Sequence, residues 1–335
     1  MTNIRIVEGS YKIRGKDTDI NGLVFPMVEE FKVGAKGGYV TVDGKSVSGF
    51  PDRNIKIAVP SEHAYEPAGK NAQVTQREET DSEIIERLRD RFDMLSDMTK
   101  AVRKGDVRAM IVSGPPGVGK SHGIETVLDR YATIEALGGE QRYEVVKGAM
   151  SPIGLYCKLY KMADKGKVVV FDDCDSILLD DVALNILKAA LDTSKKRTIS
   201  WNTDSRILRS EGIPDRFEFK AGAIFITNIK FENVRSKKLQ DHLAALESRC
   251  HYIDLQMDTD REKVLRIKQI VKDGMLDSYE LEDGAKDEIV NFILENRSHM
   301  RELSLRTVLK CADLKKSFPA NWQNMAKVTV MKGMA

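Results

Sequence analysis

Long apolar runs are missing from this chain. The most apolar stretch near its middle is Val168-Val169-Val170-Phe171, far short of the roughly 20 residues a membrane-spanning helix needs. The opening MTNIRIVEGSYKIRGK likewise lacks the apolar stretch of a secretory signal. Cysteine is scarce. Cys157, Cys174, Cys250 and Cys311 lie far apart, with no CxxC pair and no histidine at ligand spacing. That argues against a disulfide framework or a zinc site and points to a reducing cytoplasm. His63, His122, His242, His251 and His299 show no metal pattern. Neither sign of charge dominates: 53 Lys+Arg against 51 Asp+Glu leave a net +2. A strongly polybasic nucleic-acid binder is thereby excluded, although a local basic patch is not. What is present is 41% hydrophobic and 31% charged residues over 335 positions. That is apolar enough to bury a core, and long enough for about two domains. The expectation is a globular, soluble, intracellular protein without a membrane segment.

Three zones differ in texture. Residues 1–80 are rich in Gly, Val and Asp-Gly turn signals. Alternation around Asp43-Gly44 within Gly37–Lys45 predicts a β-hairpin. The stretch Ser61–Thr80 reads as a linker, and the zone carries no catalytic pattern. From Asp81, a candidate N-cap, apolar residues recur at helical spacing: Ile84, Ile85, Leu88, Phe92, Leu95, Met98 and Val102. Apolar runs then alternate with amphipathic segments. Strands are predicted at Ala109–Val112, Tyr143–Val146, Val168–Phe171, Ala223–Thr227 and Tyr252–Leu255. Helices are predicted over 120–132, 153–165, 181–193 and 236–249. Apolar strands alternating with helices predict a parallel sheet sandwiched by helices. After about Asp260 only helical segments follow (260–273, 282–296, 300–316 and 320–331). The predicted organisation is therefore a β-rich region over 1–80, an α/β domain over 81–258 and a helical domain over 259–335.

Gly114-Pro115-Pro116-Gly117-Val118-Gly119-Lys120-Ser121 matches the phosphate-loop pattern G-x-x-x-x-G-K-[ST] and sits between a predicted strand and a predicted helix. Glycines let backbone N–H groups turn inward around phosphates, and the helix N-terminus adds a positive dipole end. In this pattern Lys120 bridges the β- and γ-phosphates of ATP and Ser121, followed by His122, holds Mg²⁺. The second signal is Val168–Phe171 running into Asp172-Asp173-Cys174-Asp175. Carboxylates at the end of a buried strand stand where open α/β sheets bind ligands. Asp172 is placed to hold the magnesium shell and Asp173 to polarise an attacking water, while Asp175 can simply cap the next helix.

With these motifs in hand, the chain resembles AAA+ ATPases. GPPGVGKS, VVVFDDCD, Ala223-Ile224-Phe225-Ile226-Thr227-Asn228 and Leu246-Glu247-Ser248-Arg249-Cys250 follow the order and spacing of that family over residues 81–320. The resemblance implies a P-loop NTPase fold: a parallel five-stranded sheet sandwiched by helices, followed by a helical lid. It implies that Asn228 stands at the sensor position that orients the hydrolytic water. Arg249 would be an arginine finger, reaching in trans the γ-phosphate held by a neighbouring subunit of a homo-oligomeric ring or arc. A guanidinium fork suits that task, since it neutralises charge on the transferred phosphoryl group. In the lid, Arg306 resembles the second sensor, with Arg301 as a rival. One departure is visible. The family usually carries Asp-Glu where this chain has Asp172-Asp173, and the shorter base puts the hydrolysis rate in question.

The Ser-Arg-Cys triplet resembles replication clamp loaders, and the overall pattern resembles AAA+ proteins of bacteriophages. This implies a Mg²⁺-dependent ATPase acting on DNA or a DNA-metabolism protein, as a clamp-loader- or helicase-loader-like factor. One alternative is a protein remodeller threading polypeptide past Ile153–Tyr156, in the segment 147–156 after the second strand, where ring-forming relatives place a loop facing the central channel. Another is a nucleotide-gated scaffold with little hydrolysis. Residues 195–220, with Lys195, Lys196, Arg197, Trp201, Arg206, Arg209 and Arg216, read as a long connection. It could contact a nucleic-acid backbone and stack a base, or be an ordinary solvated loop.

Overall fold

The computed structural model describes residues 3–13, 16–34, 37–47, 50, 53–68, 79–135, 142–229 and 231–333. Residues 69–78 of the expected linker lie outside the described residues. The chain forms two compact units, Met1–Ile84 and Ile85–Ala335. Among the described residues no helix is long and apolar enough to cross a membrane.

The described strands of the first unit pair antiparallel: β1 (Asn3–Ile6), β2 (Ser10–Ile13), β3 (Lys16–Asp19), β4 (Val24–Gly34), β5 (Gly37–Asp43), β6 (Asn54–Ala58) and β7 (Tyr65–Pro67). They form one sheet in the order β3-β2-β6-β5-β4-β1-β7. Alternation decides which face is buried. In β6, Ile55 and Ile57 are buried while Asn54, Lys56 and Ala58 are exposed, and the two isoleucines join Ile4, Ile6, Phe25, Val40 and Val42 in a core. The hairpin expected around Asp43-Gly44 forms between the consecutive antiparallel strands β5 and β6, but with a longer connection than a two-residue turn. The Asp43 carboxylate instead accepts the Lys45 N–H at 3.0 Å, opening a single 3₁₀ turn over Gly44–Ser46. The return strand starts only at Asn54, opposite Asp43. An aspartate that bonds the backbone two residues on favours that turn over a two-residue hairpin loop.

The second unit is an α/β sandwich with a helical C-terminal region. Helix α1 (Asp81–Lys104) leads to β8 (Ala109–Ser113), α2 (Lys120–Glu135), β9 (Tyr143–Lys147), α3 (Pro152–Lys161), β10 (Val168–Asp172), α4 (Asp175–Leu178) and α5 (Asp181–Ala190). Then come β11 (Thr198–Ser200), α6 (Arg206–Ser210), β12 (Arg216–Glu218), β13 (Gly222–Thr227), α7 (Lys237–Glu247) and β14 (His251–Asp254). Strands β8, β9, β10, β13 and β14 make a five-stranded sheet in the order β14-β8-β13-β10-β9, every pair parallel.

Both faces of this sheet are covered. Met110, Val112, Val168, Val170, Ile224 and Ile226 point to one core with Leu95, Ile124 and Leu128. Ala109, Ile111, Val169, Phe171, Ala223 and Phe225 point to the other, with Leu155, Tyr156, Leu184 and Leu243. Period two in the strands thus feeds two apolar layers, which is why these runs are continuously apolar. Each fully buried Val, Ile or Phe contributes about 1.5–3 kcal/mol.

Residues 195–220 are a folded element rather than a long connection. Strands β11 and β12 pair antiparallel, and Trp201 meets the Tyr156 ring edge-on at 5.6 Å. Helix α3 carries Ile153–Tyr156, with Leu155 and Tyr156 fully buried. Leu155 and Tyr156 are therefore core, while residues 148–151 ahead of the helix form a largely exposed connection.

The C-terminal region consists of α8 (Asp260–Lys272), α9 (Ala285–Glu295), α10 (Leu305–Ser317) and α11 (Trp322–Val330) around Ile267, Ile289, Ile293, Val308 and Trp322. The helix expected over 300–316 begins only at Leu305, where the Ser304 side chain caps it by accepting the Thr307 N–H. A capping box of Thr259 and Glu262 starts α8, and Arg87 of α1 bonds the Glu262 carboxylate at 2.7 Å. Burial raises the Glu262 pKa, but its hydrogen bonds from Arg87 and Thr259 outweigh that and hold it below the usual carboxylate range. The fold is the five-stranded P-loop NTPase sandwich with a helical lid that the AAA+ resemblance implies.

Candidate nucleotide-binding site

Parallel strands bring their C-terminal ends to one edge, and the strand order decides which ends are neighbours. β13 lies between β8 and β10, so Asn228 stands between the glycine loop after β8 and the aspartates ending β10. The Lys120 ammonium donates to the Asn228 Oδ1 at 2.7 Å and to the carbonyls of Gly114 and Pro115 at 2.7 and 2.9 Å. The Asn228 amide in turn donates to Asp173 Oδ1 at 2.9 Å. Beside this relay the Ser121 hydroxyl donates to Asp172 Oδ1 at 2.9 Å. Lys120, Ser121, Asp172, Asp173 and Asn228 therefore meet at one place.

The loop conformation depends on its glycines. Gly117 and Gly119 have φ of +71° and +103°, a region costly for other residues. At Gly117 space is also closed: an added Cβ would sit 2.7 Å from Ser304 Cβ, with Glu302 Oε1 at 3.2 Å. The Leu305 N–H donates to the Gly117 carbonyl at 2.9 Å, so the lid rests directly on the loop. Among the described residues, Asp173 is one of two non-glycine residues with positive φ, at 53°. Such strain is sustained where the surroundings dictate it, and it concentrates at functional sites.

A cavity of about 600 Å³ opens between sheet edge and lid, within the range of small-molecule sites. The loop residues Pro116, Gly117, Gly119, Lys120 and Ser121 line it together with His122, Asp172, Asp173 and Asn228; the lid adds Ile270, Met275, Leu305, Arg306 and Leu309. Arg306 thus faces the cavity. Arg301 does not line it; its Nε donates to the Met331 carbonyl at 2.8 Å, which makes it a tie within the C-terminal region. Arg249 lies at the other edge, just before the start of β14, with its Nε buried and without a hydrogen-bond partner among the described residues.

Burial pushes the Lys120 pKa down to about 8, against the pull of Asp173 and Asp172, and Arg306 adds to the lowering. A buried ammonium held at that cost among carbonyls is suited to a polyanion. Asp175, whose carboxylate accepts the Thr227 hydroxyl at 2.6 Å, has its pKa raised mainly by burial; it joins the polar edge besides opening α4.

Three contributors escape the motif reading. Lys147, the last residue of β9, lies beside Asp172 in register and reaches its Oδ2 at 3.5 Å while pairing with Glu125 at 2.8 Å. Its place at the end of a predicted strand was the available signal. Arg266 of α8 is buried near Gly119 with its guanidinium 3.5 Å from the Phe92 ring centroid, and burial lowers its pKa to about 10. Glu302 sets a buried oxygen, without a partner among the described residues, against the loop at Gly117. Nothing local in the sequence marks the last two, because only lid packing brings them there.

No protein-family model matches the chain. The chain is 32% identical over 291 residues to an uncharacterized 36.7 kDa protein of the nrdC–mobD intergenic region of Enterobacteria phage T4, covering 86% of this chain and 85% of the phage protein. The chain belongs to the family of that phage protein. Solved structures similar to it include the replication initiator DnaA bound to AMPPCP and single-stranded DNA, at 14% identity and a TM-score of 0.41. Another is the Aeropyrum pernix ORC1 protein in complex with DNA, at 11% identity and a TM-score of 0.42. These alignments cover 70% and 72% of this chain, which spans 63% and 64% of those chains. At such identities they are likenesses of fold alone.

Proposed function

We propose that this phage-family protein is a magnesium-dependent AAA+ ATPase that assembles into a ring or arc and remodels a DNA-bound substrate, as a clamp-loader- or helicase-loader-like factor. The observation that carries the ATPase assignment is the relay Lys120–Asn228–Asp173 beside Ser121–Asp172 on one sheet edge. The residues fit magnesium-nucleotide: a glycine cradle that a Cβ would fill, a buried lysine, and a Ser–Asp pair of oxygen donors for a cation that otherwise prefers phosphate and water.

Gly114–Ser121, with His122, would wrap the phosphates, and Lys120 would turn from the loop carbonyls to the β- and γ-phosphates. Ser121 and Asp172 would hold the metal, which supplies charge neutralisation on the phosphate oxygens. Asp173, oriented by the Asn228 amide, would polarise the attacking water. Arg306 would read the nucleotide from the lid. Arg249 begins the far edge of its own sheet, which favours action on a neighbouring subunit's nucleotide. In the proposed organisation 81–258 is the motor, 259–335 the lid and 1–80 a separate β-rich region. The DNA assignment rests on the Ser248-Arg249-Cys250 resemblance.

One observation favours a nucleotide-gated scaffold with little turnover: the short base Asp173 is locked to Asn228 in a strained backbone. For the polypeptide-threading alternative, Ile153–Tyr156 lie in helix α3, while the largely exposed residues 148–151 ahead of it remain as the segment that would face a channel.

Steady-state phosphate release with and without single-stranded DNA tests the proposal. DNA-stimulated turnover is expected; tight nucleotide binding without turnover selects the scaffold, and failure to retain magnesium-nucleotide overturns both. Mixing Arg249→Ala with Lys120→Ala subunits should restore part of the activity that each pure variant lacks. Full turnover by pure Arg249→Ala would exclude a trans finger.

A further inference from the structure

The opposite edge of the same sheet is charged very differently. Strands β8, β10 and β13 start there side by side, and around their starts Arg108, Lys165, Lys167, Lys195, Arg197 and Lys220 line a cavity of about 310 Å³. Glu218 is the single carboxylate in that lining. A chain with a net charge of only +2 thus concentrates six cations at one place.

Arg197 shows that this concentration is built into the fold. It is 8% exposed, and its guanidinium donates to the carbonyls of Ala190 and Ala221 at 3.2 and 2.9 Å. It also lies over the Phe219 ring at 5.1 Å. Carbonyls and a ring face satisfy its geometry but bring no opposite charge. Burial and the nearby Arg108 charge lower its pKa to about 10, with Glu218 pulling only weakly the other way. Arg108 is itself held by the carbonyls of Asp192 and Ser194. Lys167 and Lys220 have carboxylate partners in Asp164 and Glu218, whereas Lys165 and Lys195 are exposed and make no ion pair among the described residues. A fixed, buried charge with free lysines on its rim leaves a positive field for an external anion.

The lining also selects the kind of anion. Its large apolar members, Val102 and Phe219, are both 1% exposed, so it offers no apolar contact to a protein partner and no ring on which a base could stack. The cations arise from separate segments, before β8, before β10, before β11 and before β13, and six of them against one carboxylate exceed the charge of a single phosphate, which suits the successive phosphates of a backbone. We infer that the N-terminal edge of the parallel sheet is a second, nucleotide-independent site that grips a nucleic-acid phosphodiester backbone without reading its sequence.

The test uses the full-length protein without nucleotide, titrated into fluorescently labelled single-stranded DNA, duplex DNA and RNA of about 20 residues and mixed sequence, between about 50 and 200 mM NaCl. The variant is Lys165→Glu/Lys195→Glu/Lys220→Glu. Its Lys→Gln counterpart serves if the reversal fails to fold, judged by circular dichroism and by retained nucleotide affinity. At about 100 mM salt the charge reversal should weaken binding at least tenfold. The slope of log K against log salt should fall by about 2, close to the loss of three phosphate contacts. Comparison of the three probes shows which nucleic acid is preferred. Unchanged affinity and slope in a folded variant would overturn the inference. So would polyglutamate binding as tightly as DNA, or a reversal that abolishes only self-assembly. Lys120→Ala should leave this binding intact, so loss of ATP turnover and loss of backbone binding fail separately.

Discussion

The two edges of one sheet hold buried cations in opposite circumstances. At the C-terminal edge Lys120 is met by Asn228 and lies among Asp172, Asp173 and Asp175. At the N-terminal edge Arg197 meets carbonyls, a ring and another arginine, with Glu218 as its one opposing charge. The first is a balanced network in which a cation and carboxylates wait within reach of each other, which is what chemistry on a triphosphate with a metal requires. The second is unbalanced, which suits holding an anion and nothing more. Burial alone therefore does not mark a catalytic group; the company of opposite charges and a strained neighbour does.

The largest effect expected is at Lys120. Lys120→Ala should weaken magnesium-nucleotide binding at least about hundredfold in a fluorescent-nucleotide titration, while the lysine reversals at the other edge leave it unchanged. Equal losses at both edges would erase the contrast. Next, Asp173→Asn should lower the turnover number by about 10²–10⁴ with little change in nucleotide affinity. If affinity falls in parallel, Asp173 is a binding group and the network is misassigned. Asp173→Glu sharpens the point, since a faster enzyme would mean that the shorter base limits the rate.

A smaller, structural effect is expected from Gly117→Ala. Its Cβ would meet Ser304 at 2.7 Å at a φ of +71°, so calorimetry should register a loss of about 1–3 kcal/mol. A neutral result would mean the lid does not rest on the loop.

The smallest is a pH dependence. The Lys120 pKa is lowered from 10.5 to about 8 by burial. The ligand-free protein therefore carries a cost that is full below about pH 8 and is relieved as the pH rises toward 10.5. Bound phosphates favour the ammonium, so nucleotide affinity should be full below pH 8 and fall by about fivefold to tenfold toward pH 9. A flat profile would remove Lys120 from the phosphate contacts.

Much of this was legible in residue order. The glycine loop, the apolar runs and the acidic strand end announce themselves through local backbone preference and period-two burial. The five parallel strands and the helical C-terminal region follow from the same patterns. Where the reading erred, a side chain changed the local outcome. Asp43 bonded the backbone two residues on and opened a 3₁₀ turn, so the hairpin partner of β5 starts only at Asn54. Ser304 capped α10 and delayed its start. Leu155 and Tyr156 went into the core and Trp201 packed half-buried against it, because aromatic and apolar area is worth more buried.

By itself, then, the amino-acid order determined the strands, the helices and the glycine-loop backbone, since each depends on contacts within a few residues. Only the tertiary structure decided who meets whom. Inserting β13 between β8 and β10 puts Asn228 between Lys120 and Asp173, and aligned strand starts gather cations from four separate segments. Strand order is a property of long-range packing, with no local backbone preference to encode it.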